Sequence, residues 1–255
     1  PHSVRRRPPA NDNTTKSMKI ICIARNYAAH AAELHHDTGL DTGDRAAAQS
    51  GNDPQEEHNG HNNDNDTDPL RITGPVFFLK PDTALLRNND PFYIPSFSRE
   101  VHYECELVVK INRLAKCIDR RFARRCYDEV GLGIDFTARD LQRDAIARGL
   151  PWEVCKGFDY SAALSPRFIP LAQLGGDVQR LKFEMEIDGR VCQRGDTSQM
   201  LYTVDEIISH VSQYMTLRIG DLIYTGTPAG VGPVHEGQTL RASLEGQTLL
   251  DFDIR

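Results

Sequence analysis

No stretch of this 255-residue chain approaches the roughly 18 apolar residues that cross a bilayer. Its longest early apolar run, Ile20-Ile21-Cys22-Ile23-Ala24, is closed by Arg25, so Arg5, Arg6 and Arg7 are not read as the front of a secretory signal. Six cysteines (Cys22, Cys105, Cys117, Cys126, Cys155 and Cys192) include no Cys-x-x-Cys pair and no zinc-ribbon spacing. Reduced thiols in a cytoplasmic protein are the expectation. No period of 20–50 residues repeats, which excludes solenoids and propellers. Gly131 and Gly133 lack the rest of a dinucleotide fingerprint, and no Gly-Lys-Ser/Thr follows Thr225 to make a P-loop. The three early arginines have no aromatic residues among them, so nucleic acid is not an expected partner, and without a spanning run neither is a membrane.

What remains is an ordinary globular composition, 39% hydrophobic and 26% charged, with 30 basic against 36 acidic residues. The net charge of -6 is unevenly placed: residues 35–70 hold nine acids against Arg45 alone, which leaves the rest of the chain slightly basic. That stretch has no Ile, Val, Phe, Tyr or Trp and cannot bury enough apolar area to offset its ordering entropy. It is read as a disordered acidic insert, with His35, His36, His58 and His61 solvated. Residues 1–17 are read as a disordered tail before Met18, and 18–255 as a single catalytic domain. The run Asp64 to Asp68 imitates a calcium loop, but Pro69 and Pro75 stand where its glycine and bidentate acid belong.

Lys19 to Ala24 predicts a buried strand opening into an alanine-rich helix with Asn26 as N-cap. Val76 to Leu79 predicts a strand ended by Lys80-Pro81, and Val101 to Ile111 a largely buried strand. Leu132 to Phe136 feeds a helix with a capping box at Thr137 to Asp140 and a stop at Gly149; Thr203 to Glu206 repeats the start signal. Hairpins are predicted at Asp188-Gly189 and Glu245-Gly246. The sum is an α+β fold on a mixed β-sheet with few short helices.

On a strand, a period of two puts His102, Glu104 and Glu106 on one face. Two buried carboxylates side by side call for a cation between them. Asp135, at a strand end, supplies a third, and an all-oxygen set favours Mg2+ or Mn2+, with Ca2+ as a substitute. The plain alternative is an edge strand with two solvated glutamates. His30 and Glu33 are three apart on a helix, so Glu33 can orient an imidazole as a base; a surface pair is the alternative.

Six ordered blocks are similar to the fumarylacetoacetate hydrolase family, in its small acylpyruvase and oxaloacetate decarboxylase-like branch. They are Ala24 to Glu33, Pro75 to Pro81, Glu104-Cys105-Glu106, Asp135 to Gln142, Gly149 to Trp152 with Lys156 to Asp159, and Thr225 to Pro233. The resemblance implies a β-sheet roll of that family's C-terminal-domain type, Glu104, Glu106 and Asp135 as metal ligands, and His30 with Glu33 as a catalytic dyad on a lid. It places Lys156 at the metal pocket, and Arg25, Gln142 and Thr227 against substrate, with the Thr227 hydroxyl offered to a carboxylate. It implies a homodimer that releases pyruvate from acylpyruvates or oxaloacetate. Two other readings stay open: an isomerase or hydratase of 2-hydroxy-dienoates, and a non-catalytic metal-stabilised binding protein.

Overall fold

The apolar runs become strands in a computed structural model that describes residues 18–30 and 74–255. The tail, the acidic insert and Glu33 lie outside the described residues. In chain order the strands are β1 (Ile20–Ile23), β2 (Phe77–Lys80), β3 (Leu85–Leu86), β4 (Val101–Tyr103), β5 (Cys105–Lys110), β6 (Glu129–Asp135), β7 (Thr137–Ala138), β8 (Ala162–Leu164), β9 (Ile169–Pro170), β10 (Lys182–Ile187), β11 (Arg190–Asp196), β12 (Leu222–Tyr224), β13 (Gly232–Pro233), β14 (Thr239–Leu244) and β15 (Gln247–Asp253). The main sheet has eight strands in the order β2-β1-β12-β5-β6-β8-β3, with β9 paired to β6. It is mixed, since β1 runs parallel to β12 and antiparallel to β2. An antiparallel sheet β11-β10-β14-β15 and a small one, β13-β4-β7, complete the α+β fold.

The run Leu107-Val108-Val109 is apolar without alternation because the main sheet is covered on both faces. Leu107 and Val109 join a large core with Ile21, Leu132, Met185, Ile207 and Phe252, whereas Val108 joins a second cluster with Ile20, Cys22 and Leu222. Each such side chain contributes about 1.5–3 kcal/mol by leaving water. The helix Val204–Tyr214 closes the large core; its capping box at Thr203 and Glu206 forms as expected, and Ile207, Ile208 and Val211 turn inward. Both hairpins form. Asp188 and Gly189 (φ 51° and 74°) and Glu245 and Gly246 (φ 48° and 74°) supply the left-handed pairs that match strand twist.

Four local expectations are corrected. The expected strand Val101–Ile111 breaks at Glu104, whose carbonyl accepts from Asp135 N (2.8 Å), so β4 and β5 enter different sheets. Asn26 is not an N-cap. Its amide instead ties two loops, donating to Thr225 O (2.8 Å) and Tyr202 O (3.1 Å) and accepting from Tyr202 N (2.8 Å). Thr137 caps nothing either: it lies in β7, the helix Arg139–Arg148 follows Ala138 without a side-chain cap, and its hydroxyl is spent elsewhere. The helix does stop at Gly149, whose φ of 64° is the left-handed turn expected there. Finally, the strand expected over Val76 to Leu79 and ended by Lys80 is shifted by one: β2 includes Lys80, its most buried residue, while Phe77 and Phe78 are half-buried and Leu79 exposed.

Candidate active site

Glu104 occupies the break between β4 and β5, Glu106 follows on β5, and Asp135 ends the adjacent β6. One carboxylate oxygen from each lies within 4.8 Å of the other two, and all three residues are buried. Solvated edge glutamates are therefore ruled out. Three cations face them. Lys156, the last residue of the helix Glu153–Lys156, donates to Glu104 Oε2 (2.7 Å), Asp135 Oδ2 (2.9 Å) and Thr137 Oγ1 (2.6 Å). Arg139 donates to Glu104 Oε1 (2.6 Å) and to Gln142 Oε1. Lys80 Nζ lies 2.7 Å from Asp135 Oδ1. Its hydrogen bonds go instead to the carbonyls of Phe136 (3.2 Å), Ser161 (3.0 Å) and Lys156 and to Ser161 Oγ (2.9 Å).

These neighbours split the two glutamates electrostatically. Burial alone would raise the Glu104 carboxyl, but the charges of Lys156 and Arg139 outweigh it and hold it well below the usual carboxylate range. Glu106 moves the other way. Burial, then the charges of Asp135 and Glu104, push its carboxyl well above that range, despite the bond it accepts from Gly226 N (2.7 Å). Lys156 remains protonated, because Asp135 and Glu104 overcome the burial that would lower it.

The donor set fits a hard divalent cation on two counts. Asp135 Oδ1 is buried and accepts no hydrogen bond, the Lys80 ammonium beside it lying off the bonding direction. No two of the three donor oxygens are more than 4.8 Å apart, a separation of the order that one ion spans with two metal–oxygen bonds, about 4.2 Å for Mg2+ and about 5 Å for Ca2+. Glu104, Glu106 and Asp135 are the residues that would hold it.

The other expected residues divide. His30 is buried, 4% exposed, and a positive charge on it would lower the Glu104 carboxyl. Gln142 is buried and holds Arg139; Arg25 occupies a left-handed turn (φ 54°) after β1. Thr227 differs from expectation. Its proton goes to Cys105 O (2.9 Å) and its oxygen accepts from Gln193 Nε2 (2.8 Å), so the hydroxyl proton faces the strand and not a ligand. Lys80 and Arg139 were not singled out from the sequence, although both stand inside the matching blocks beside Pro81 and Asp140.

Comparison with known proteins identifies similar chains. The sequence profile described as fumarylacetoacetate hydrolase C-terminal matches residues 19–255. A mitochondrial oxaloacetate decarboxylase of Dictyostelium discoideum is 36% identical over 92% of this chain and 93% of its own. The mitochondrial oxaloacetate tautomerase FAHD1 of Bos taurus is 34% identical over 92% and 90%. The crystal structure of fumarylpyruvate hydrolase from Pseudomonas aeruginosa, in complex with Mn2+ and pyruvate, superimposes with a TM-score of 0.75 at 30% identity, covering 96% of this chain and 93% of that one.

Proposed function

Because the chain belongs to the fumarylacetoacetate hydrolase family, we propose that it is a divalent-metal-dependent hydrolase or lyase that makes pyruvate from oxaloacetate or from an acylpyruvate. The observation that carries this reading is the convergence of Glu104, Glu106 and Asp135, with Lys156 bridging two of them; the burial of His30 supports it. A divalent cation held there supplies a Lewis acid for the carbonyl of a 2-keto acid. With Glu106 ionised, the three carboxylates balance Lys80, Lys156 and Arg139, so the loaded pocket is net positive and suits a dianion.

His30 moves the proton. In decarboxylation the bond from C3 to the departing carboxylate breaks, its electron pair is delocalised onto the C2 carbonyl oxygen, and the imidazolium protonates C3. In acylpyruvate hydrolysis the imidazole takes a proton from the water that attacks the distal carbonyl, the bond from C3 to that carbon breaks, and the same proton returns to C3. Lys156, held charged, offsets the negative charge that develops nearby. An imidazole that trades a proton with C3 also serves keto–enol exchange, the activity in the bovine relative's name.

Pyruvate release from oxaloacetate and acetylpyruvate, followed with Mg2+, Mn2+ and chelator, tests this. Metal-dependent release is expected. Turnover of a 2-hydroxy-dienoate alone would favour the isomerase, and Mn2+ binding without turnover of any keto acid would favour the non-catalytic protein. A homodimer is part of the proposal, supported by the apolar Val76, Leu79, Leu150 and Val154, all exposed on the monomer. Light scattering that returns one chain's mass would remove it.

A further inference from the structure

One buried side chain reaches the metal-ligand strand from a different sheet and has no part in the chemistry above. Gln193, on β11, is 1% exposed. Its Oε1 accepts from Cys105 N (2.9 Å), and its Nε2 donates to Thr227 Oγ1 (2.8 Å) and Pro228 O (2.9 Å). Thr227 Oγ1 in turn donates to Cys105 O (2.9 Å). The bonds therefore close a ring, from Gln193 to Thr227, to the Cys105 carbonyl, along that residue to its N–H, and back to Gln193. Cys105 is the residue between Glu104 and Glu106.

Two features show that the backbone is shaped for this contact. The β10–β11 register shifts between Met185 and Glu186: Met185 pairs with Gln193 and Glu186 with Val191, leaving Cys192 as the extra residue. Such bulges re-aim the side chains that follow them. The loop after Thr227 also rests directly on β11, where a Cβ at Gly230 (φ 95°) would lie 2.4 Å from Cys192 O.

We propose that Gln193 is a positioning residue: by fixing both polar groups of Cys105 it sets the spacing of the Glu104 and Glu106 carboxylates that receive the cation. The amide suits the role because it accepts and donates at once, which no isosteric apolar side chain does. The inference rests on the metal reading of the triad.

Mn2+ titration followed by electron paramagnetic resonance tests it on the full chain, with Gln193→Leu, Thr227→Val and the double variant. Supporting partners of metal ligands are typically worth 10–100-fold in affinity, so Q193L is expected to bind Mn2+ about 10–100-fold more weakly. The apparent Mn2+ constant from turnover is expected to rise by the same factor, with kcat at saturating Mn2+ falling less. Because one ring breaks once, the double variant is expected to bind no more weakly than the weaker single one. Mn2+ affinity within about twofold of the parent, or strictly additive losses, would overturn the proposal. If Q193L does not fold, Gln193→Glu, which keeps the acceptor for Cys105 N but loses the donors, reads the same affinity under the same criterion. A parent that binds no Mn2+ would overturn the metal reading itself, and the inference with it.

Discussion

Replacing Lys156 by Met keeps most of the buried stem and removes a charge that both Glu104 and Asp135 use. Breaking a buried pair from one side typically costs about 3–5 kcal/mol, because the remaining charge stays uncompensated. K156M is therefore expected to be destabilised by about that amount in chelator, with a smaller deficit in Mg2+, as read by urea unfolding in both buffers. Equal deficits would separate Lys156 from the metal-site electrostatics. His30→Ala is expected to lower kcat by about 10²–10⁴-fold without a matching loss of Mn2+ affinity; an unchanged kcat would take the proton transfer away from His30. At this scale the acids were legible, but of their cations only Lys156 was, and that through the family resemblance. Glu104 and Glu106 show themselves by the period of a strand, and Asp135 by standing at a strand end. Lys80 and Arg139 show nothing comparable, since a lysine before a proline or an arginine opening a helix has the same letter in solvent as in a core. Their burial follows from Asp135, Ser161 and Glu104, which only the fold brings near.

Among the elements, those that succeed or fail on local chemistry were readable. The Thr203 capping box and both hairpin turns form from residues within a few positions of one another. Those decided by distant partners were not: Thr137 and Asn26 have good capping side chains, yet Lys156 and the loop at Thr225 claim them. The break at Glu104 was likewise hidden, because Val101 to Ile111 has no glycine or proline to mark it. Gly133 makes a test of β6. It pairs with Glu106, and a Cβ there would meet the Tyr224 ring at 2.3 Å and Ala163 O at 2.8 Å. The ring is held by the bond from Tyr224 Oη to Ala163 O (2.8 Å), so it has little room to yield. Gly133→Ala is expected to cost about 1–3 kcal/mol by overpacking, measured by chemical denaturation; a neutral effect would show that the sheet relaxes there.

For the molecule as a whole, the proposed ion binding would be coupled to folding. The triad's ligands come from β5, β6 and the break at Glu104, so an unfolded chain offers no such arrangement, and binding adds RT ln(1 + [L]/Kd) to stability. At a Mg2+ concentration about 100 times Kd, the gain is expected to be about 2.7 kcal/mol, read as a higher melting temperature that chelator reverses. No shift at saturating Mg2+ would mean that the carboxylates are satisfied by their lysines and arginine alone. The family-level architecture was legible from six ordered blocks, because loops and strand ends that carry chemistry keep recognisable residues.

The division of residues 101–110 between two sheets reaches beyond the site. Glu104 stands at the seam where the small sheet β13-β4-β7 meets the large one, and an ion gripping it together with Glu106 and Asp135 staples the two. Occupancy is then expected to slow hydrogen–deuterium exchange at amides of β7 and β13, which supply none of the three carboxylates.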